Sequence, residues 1–546
     1  MKKIIYKFII ITIIISNINL NAQTRYLDEV FNTILVEEVD TFAVNISIEP
    51  LLFGMPPDLL PIECDVYIPA GNMDASFNFL ADTLTNRPVI IVAHTGSFLP
   101  PVANGQATGS VKDSSIIEQC TRWAKKGYVA IAMGNRKGWN PTSTDQNVRT
   151  STLLQAAYRG VQDAKALVRW LRWTNIEMGN PFGIDSDKIV LGGHGTGGYI
   201  SLAYATLDDE NELYLPKFMD LTDPSNPVPY VVPGVFGNID GTNLAFLPLY
   251  DSLGNIIGVD SSSPTNYPNF PQYSNDINMA FNLGGALADS SWLEPGDIPI
   301  VSFHCENDPY APIDIGDVIV PTTGDFVVEV VGSRFIQQKA NEYGNNDVFI
   351  NAGFNDNYTT VANTTNNNLE GLYVFKTPTP SSQPNAFGEL EEEQASPWDW
   401  WDNIVYDQYF QAVNGAPAGY GAANSILGNP DMSAQKGKTY IDTVQGYLNP
   451  RIYVALNLGG TNSISHAVDY STKVYPNPTK DIVYVSNQNF EIDKIEIYDI
   501  KGRIIKDIHG ETLSKYQIST KDLNSGVYLM KIKTRNTEVN RKIIIE

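Results

Sequence analysis

Ile189-Val190-Leu191-Gly192-Gly193-His194-Gly195-Thr196-Gly197-Gly198-Tyr199 is the stretch on which the fold turns. Its apolar, β-branched start reads as the end of a strand over 188–191, and a helix is expected from Tyr199. Between them lies a glycine-rich turn, where the backbone must bend sharply with nothing bulky beside it. Upstream, Arg87-Pro88-Val89-Ile90-Ile91-Val92-Ala93 and the run 128–133 are short and continuously apolar, as strands buried on both faces are. Residues 62–68 alternate like a strand, and 298–303 form a later buried one. Helical spacing marks 113–126, with Asp113 as N-cap and Gly127 as stop, and a long amphipathic helix over 152–173. Strand and helix in alternation predict an α/β domain with a mostly parallel sheet covered on both faces.

Two stretches interrupt this rhythm, about 208–278 and 340–430, and read as long lid insertions. The second carries the Asn-rich run 363–368, the acidic run 389–393 and the cluster Trp398-Asp399-Trp400-Trp401. Such indoles stack on a sugar, grip a lipid, or pin the lid to the core. A final body helix is expected from Met432 to about Leu448.

The central turn has the setting of a nucleophile elbow, G-x-S-x-G, which places a side chain at strained backbone angles between strand and helix. Gly193 and Gly197 are in frame as the flanking glycines, and the nucleophile position is Gly195. From about Asp65 to Ala311 the chain resembles α/β-hydrolases of the secreted esterase and lipase type. His94-Thr95-Gly96-Ser97-Phe98 is similar to their His-Gly-Gly-Gly oxyanion loop. Tyr158 to Ala164 resembles the helix before the elbow strand, and His304-Cys305-Glu306-Asn307-Asp308-Pro309-Tyr310-Ala311-Pro312 resembles the H-G-x-x-D-x-x-V-P segment. The resemblance implies backbone amides near Gly96, Ser97 and Thr196 as an oxyanion hole, and Asp308 as the triad acid.

The departure is equally plain. Glycine has no side chain to attack a carbonyl, and a triad needs a histidine base. The five histidines are His94, His194, His304, His466 and His509. Only the last two follow Asp308; His509 falls in the C-terminal unit and His466 in a linker by composition. Ser97, Thr196, His94 and His194 are surrogate candidates, and a zinc site of His94, His194 and Asp308 has no supporting spacing. Two functions follow: a non-catalytic protein that keeps the pocket, or a carboxylic ester hydrolase with a non-standard site, acting on acylated polysaccharide or lipid. A surface adhesin using the tryptophan-bearing lid is a third. No cofactor is expected.

The ends bear on location. Met1-Lys2-Lys3, the apolar run 8–15 and Leu20-Asn21-Ala22 read as a signal peptide over 1–22. The run is too short to span a bilayer, and no other stretch qualifies as a transmembrane segment. Residues 466–473 read as a linker. Residues 474–546 begin with Val474-Tyr475-Pro476-Asn477-Pro478 and alternate with period two between Gly and Asn turns, which predicts a small all-β sandwich. "VYPNPTKD", "IEIYDIKGRII" and "LNSGVYLMKI" resemble the type A sorting domains of type IX secretion. That resemblance implies the type IX secretion machinery as partner and a secreted or cell-surface location. The α/β-hydrolase-like body is then 23–465.

Charge excludes some partners. The tail from Lys473 has a net charge of +3; residues 23–472, with 21 basic and 51 acidic residues, have −30. A body this acidic is unsuited to nucleic acid or anionic lipid. Asn345-Asn346-Asp347 suggests calcium only weakly, since no known loop spacing matches. Three cysteines, Cys64, Cys120 and Cys305, allow one disulfide with one free thiol, or three reduced and buried residues.

Overall fold

The computed structural model describes residues 24–251, 256–320, 323–377, 394–459, 472–487, 491–499, 503–534 and 538–545. The expected leader, the acidic run 389–393, His466 and most of the expected linker lie outside them.

Eight strands form the path of the central sheet: β1 (Thr33–Ser47), β2 (Asp58–Met73), β3 (Arg87–Ala93), β4 (Val129–Met133), β5 (Ile184–His194), β6 (Met279–Leu283), β7 (Ile300–Cys305) and β8 (Leu372–Phe375). Their spatial order is β1-β2-β4-β3-β5-β6-β7-β8. β2 pairs antiparallel with both β1 and β4, and every other neighbour in that path is parallel. This order, with its reversed second strand and β3–β4 crossover, is that of the α/β-hydrolase fold. Strands β3, β4, β6, β7 and β8 are buried throughout, and β5 from Ile189 on, which explains their largely apolar sequences.

Helices cover both faces. α1 (Ser114–Lys126) buries Ile116, Cys120 and Trp123 on one face of the sheet, beside α6 (Ala434–Ala455). α2 (Gln146–Glu177), α3 (Thr196–Thr206) and α4 (Ser333–Glu342) pack on the other, with Val161, Leu167, Ile200 and Ile336 inside. Trp123 Nε1 donates to Asn449 Oδ1 at 2.8 Å and ties α1 to α6.

Several expectations need correction. The stretch 340–430 is not wholly an insertion, because it contains β8, the last strand of the sheet. α2 is longer than 152–173 at both ends. α6 runs to Ala455 with Pro450 inside it, not to Leu448. Asp113 occupies the N-cap of α1 but caps nothing there; its carboxylate turns back to Gly109 N (2.9 Å) and Ser110 N (3.2 Å). Gly127 ends the helix in the left-handed region as expected. The last two residues of the expected linker, Thr472 and Lys473, already belong to a strand, Thr472–Tyr475.

Trp398 is a core residue, fully buried against Phe375 (ring centroids 6.0 Å) and His194 (5.9 Å). Asn345 and Asn346 bind backbone: Asn345 Nδ2 donates to Glu294 O (2.7 Å) and Asn346 Nδ2 to Ile300 O (3.1 Å). All three cysteines are free and buried, and burial pushes each thiol pKa up.

The C-terminal unit has its own core. A three-stranded and a four-stranded antiparallel sheet enclose Val483, Val485, Ile495, Ile497, Met530 and Ile532.

Candidate functional site

β5 ends at His194 and α3 starts at Thr196, so Gly195 alone makes the turn, at φ +50° and ψ −113°. L-residues rarely adopt this conformation. Gly195 N donates to Leu283 O at 2.8 Å, and its carbonyl accepts from Gly198 N at 2.9 Å. The flanking glycines are a steric necessity. A Cβ on Gly193 would lie 2.3 Å from Gly197 C, and one on Gly197 2.2 Å from Ala93 O. At Gly195 itself, a Cβ would lie 2.3 Å from Thr95 Oγ1. The Thr95 hydroxyl, from the loop after β3, therefore stands where a Cβ at 195 would go and would have to move to admit one.

That loop is stiff. Ser97 and Phe98 are consecutive non-glycine residues at positive φ, 55° and 53°. Trp139 Nε1 donates to Ser97 O at 2.7 Å and Gly138 N to Phe98 O at 2.8 Å. The segment that supplies these donors leaves β4 and is anchored by Arg136, whose Nε meets Asp163 Oδ1 of α2 at 2.8 Å in full burial. Thr196, the first residue of α3, has an amide with no intrahelical acceptor, at the positive end of the helix.

Gly195, Thr196, Ser97 and Asp308 line one cavity of about 210 Å³. Gly96 lies behind the wall, packed on Gly109; a Cβ there would sit 2.7 Å from Gly109 Cα. Asp308 follows β7, and its Oδ1 accepts from Tyr310 N (2.8 Å) and Ala311 N (3.1 Å). The cavity's apolar wall comes from Trp139, Leu154 and Ala157, and from Val318, Val328 and Val330 of the hairpin Ile315–Ile319 with Phe326–Val331. Its polar end comes from the segment after β8: Ser396, Asp399, Trp401, Asn424 and Asn429.

That segment is where a base following the last strand would stand, and residues 376–465 contain no histidine. Ser396, at φ 46°, lines the cavity instead. His466 lies outside the described residues. His509 sits in the C-terminal unit, with Nδ1 3.1 Å from Asp507 Oδ1.

The other histidines are packed within the body. His94 Nδ1 is 2.5 Å from Thr95 O, and burial, with Lys137 nearby, pushes its pKa down to about 3. His304 bridges Ser333 Oγ (2.8 Å) and Ala311 O (2.9 Å), and burial takes it to about 4. His194 Nε2 lies 2.7 Å from Gln119 Nε2, and its Nδ1 is 3.8 Å from Asp399, which also binds Ser115 Oγ. Among the described residues no cluster of three His, Cys, Asp or Glu could hold a metal ion. Burial raises the Asp113 carboxyl to about 7.

The sequence reading missed Thr95 as the side chain facing position 195, the hairpin wall, and Ser396 and Asp399. The alternation in Phe326-Val327-Val328-Glu329-Val330-Val331 was the available sign of the hairpin.

Residues 473–546 match the family of secretion system C-terminal sorting domains. A tail of this kind marks an exported chain, either secreted or at the cell surface; no helix among the described residues is long and apolar enough to cross a membrane. No curated protein sequence matches the chain. Solved structures similar to it include Thermogutta terrifontis esterase 2 phosphonylated by cyclosarin, at 17% identity, covering 52% of this chain and 75% of that one, TM-score 0.28. The same esterase phosphorylated by paraoxon matches at 14% identity over 68% and 96%, TM-score 0.31. The fold assignment rests on the strand order, not on likenesses this distant.

Proposed function

We propose that this exported chain is a non-catalytic binding protein built on a hydrolase scaffold. The cavity takes a ligand with an apolar acyl part, whose carbonyl or carboxylate oxygen faces the amides near Ser97 and Thr196. One observation carries the reading: the Thr95 hydroxyl fills the space in which a side chain at 195 would have to stand. The absence of histidine from 376–465 supports it, since a hydroxyl nucleophile needs a positioned base. Losing the nucleophile alone removes roughly 10⁶ of rate in triad enzymes. Asp308 then orients a ligand or holds its loop. The organisation proposed with this is a leader over 1–22, a body over 23–465, a linker from 466 that ends before the strand at Thr472, and a sorting tail from there to 546.

The test is hydrolysis of p-nitrophenyl butyrate and octanoate, with fluorophosphonate labelling, on the purified protein. The expected result is no turnover above background and no label. Turnover well above the uncatalysed rate, with label on Ser97 or Thr196, would mean that the chain is an ester hydrolase with a non-standard site.

A further inference from the structure

The cavity does not end at Trp401. A second groove of about 360 Å³ opens beside that indole, and the two spaces share Gln106, Ala107, Thr108 and Trp401. One wall of the groove is the loop that ends in Lys112 and Asp113. The other is Val405, Tyr406 and Tyr409, from the start of α5 (Asn403–Asn414). Three aromatic rings thus flank it. Trp401 is fixed by its Nε1, which donates to Ser425 Oγ at 3.1 Å, and the Tyr406 and Tyr409 rings lie 6.5 Å apart.

The charged groups here already have partners. Lys112 pairs with Glu38 and with Asp65 at 2.8 Å. Asp113 accepts two backbone amides, and Asp402 Oδ1 accepts Ile404 N and Val405 N at the helix start. What remains for a ligand is ring surface and neutral hydrogen-bonding groups such as Gln106 and Thr108. Tyr406 adds a distinct observation: it is 8% exposed, and its hydroxyl is covered without any hydrogen-bond partner. Buried polar atoms are rarely left so.

We propose that this groove is a sugar subsite: it takes a neutral pyranose ring of a ligand whose acyl substituent fills the inner cavity. A pyranose presents C–H faces to aromatic rings and hydroxyls at its rim, which suits rings backed by uncharged polar groups. In the bound state proposed here, the Tyr406 ring turns so that a ligand hydroxyl satisfies the orphaned phenol. The acyl half rests on the function proposed above; the sugar half does not.

The test measures binding to the whole protein by calorimetry, with 6-O-octanoyl-glucose, octanoate and methyl glucoside as probes. Octanoyl-glucose is expected to bind about tenfold or more tighter than octanoate. Tyr409→Ala, at a 40%-exposed position, is expected to abolish that difference and leave octanoate binding unchanged. Equal binding of octanoyl-glucose and octanoate overturns the proposal, as does tighter binding of octyltrimethylammonium, which marks a cation site. Tyr409-dependent binding of methyl glucoside without any octanoate binding supports the sugar subsite and removes the acyl half. Hydrolysis of octanoyl-glucose with the Tyr409 dependence intact removes only the non-catalytic reading.

Discussion

At the scale of single residues, Gly195 and Thr95 act as a pair. Gly195→Ser puts a side chain at φ +50° and drives its Cβ into Thr95 Oγ1. We expect that single variant to lose about 1–3 kcal/mol of stability, measured by urea unfolding, and to gain no esterase activity. Thr95→Gly with Gly195→Ser should recover the part due to collision and keep the part due to backbone strain. Position 195 was legible in the sequence because the glycine spacing is local. Thr95 was not, because the obstruction is a distance between loops about a hundred residues apart in the chain.

Among the elements, the loop after β3 owes its shape to α2 through the exit of β4. Arg136 and Asp163 are both almost fully buried, and Asp163 Oδ2 also accepts Arg136 N at 2.7 Å. Asp163→Ala leaves the buried Arg136 guanidinium without its counter-charge, so a loss of about 3–5 kcal/mol is expected in the same unfolding experiment. The central parallel strands were legible because burial on both faces makes them continuous apolar runs. β1 was not: its Glu37-Glu38 and exposed Leu35 and Val36 are those of an edge strand, with no clean alternation. β8 escaped for another reason. Its four residues, Leu372-Tyr373-Val374-Phe375, follow an Asn-rich run, and four apolar residues in polar surroundings look like loop until the sheet claims them.

For the molecule as a whole, acidity tests the packing of the histidines. His94 and His304 are held neutral, at about 3 and about 4, against an ordinary value of 6.5. The unfolded chain therefore binds more protons as pH falls from 6.5 towards 4, and stability drops by up to about 1.4 kcal/mol per pH unit for each ring. Asp113, raised to about 7, works the other way: the folded state binds its proton first, so its share of stability grows as pH falls from above 7 to about 4. His304→Asn should reduce the pH slope of stability between 6 and 4.5 by about one proton, read from urea midpoints across that range. Export is a separate property of the chain, carried by the tail. Deleting 473–546 should leave the protein in the cells, where the full chain reaches the medium or the surface, as read by fractionation and blotting.

The Thr95 hydroxyl also sets the order in which this sequence can change. A serine at 195 meets the Thr95 hydroxyl at its first atom, so that step is expected to cost stability while threonine stands at 95. Residue 95 must shrink beforehand, and that change brings no benefit of its own. On the proposed reading a base is also needed, and 376–465 holds no histidine to serve as one. If the protein is non-catalytic as proposed, a route to ester cleavage passes through at least two intermediates without advantage, which makes the present state hard to leave by drift alone.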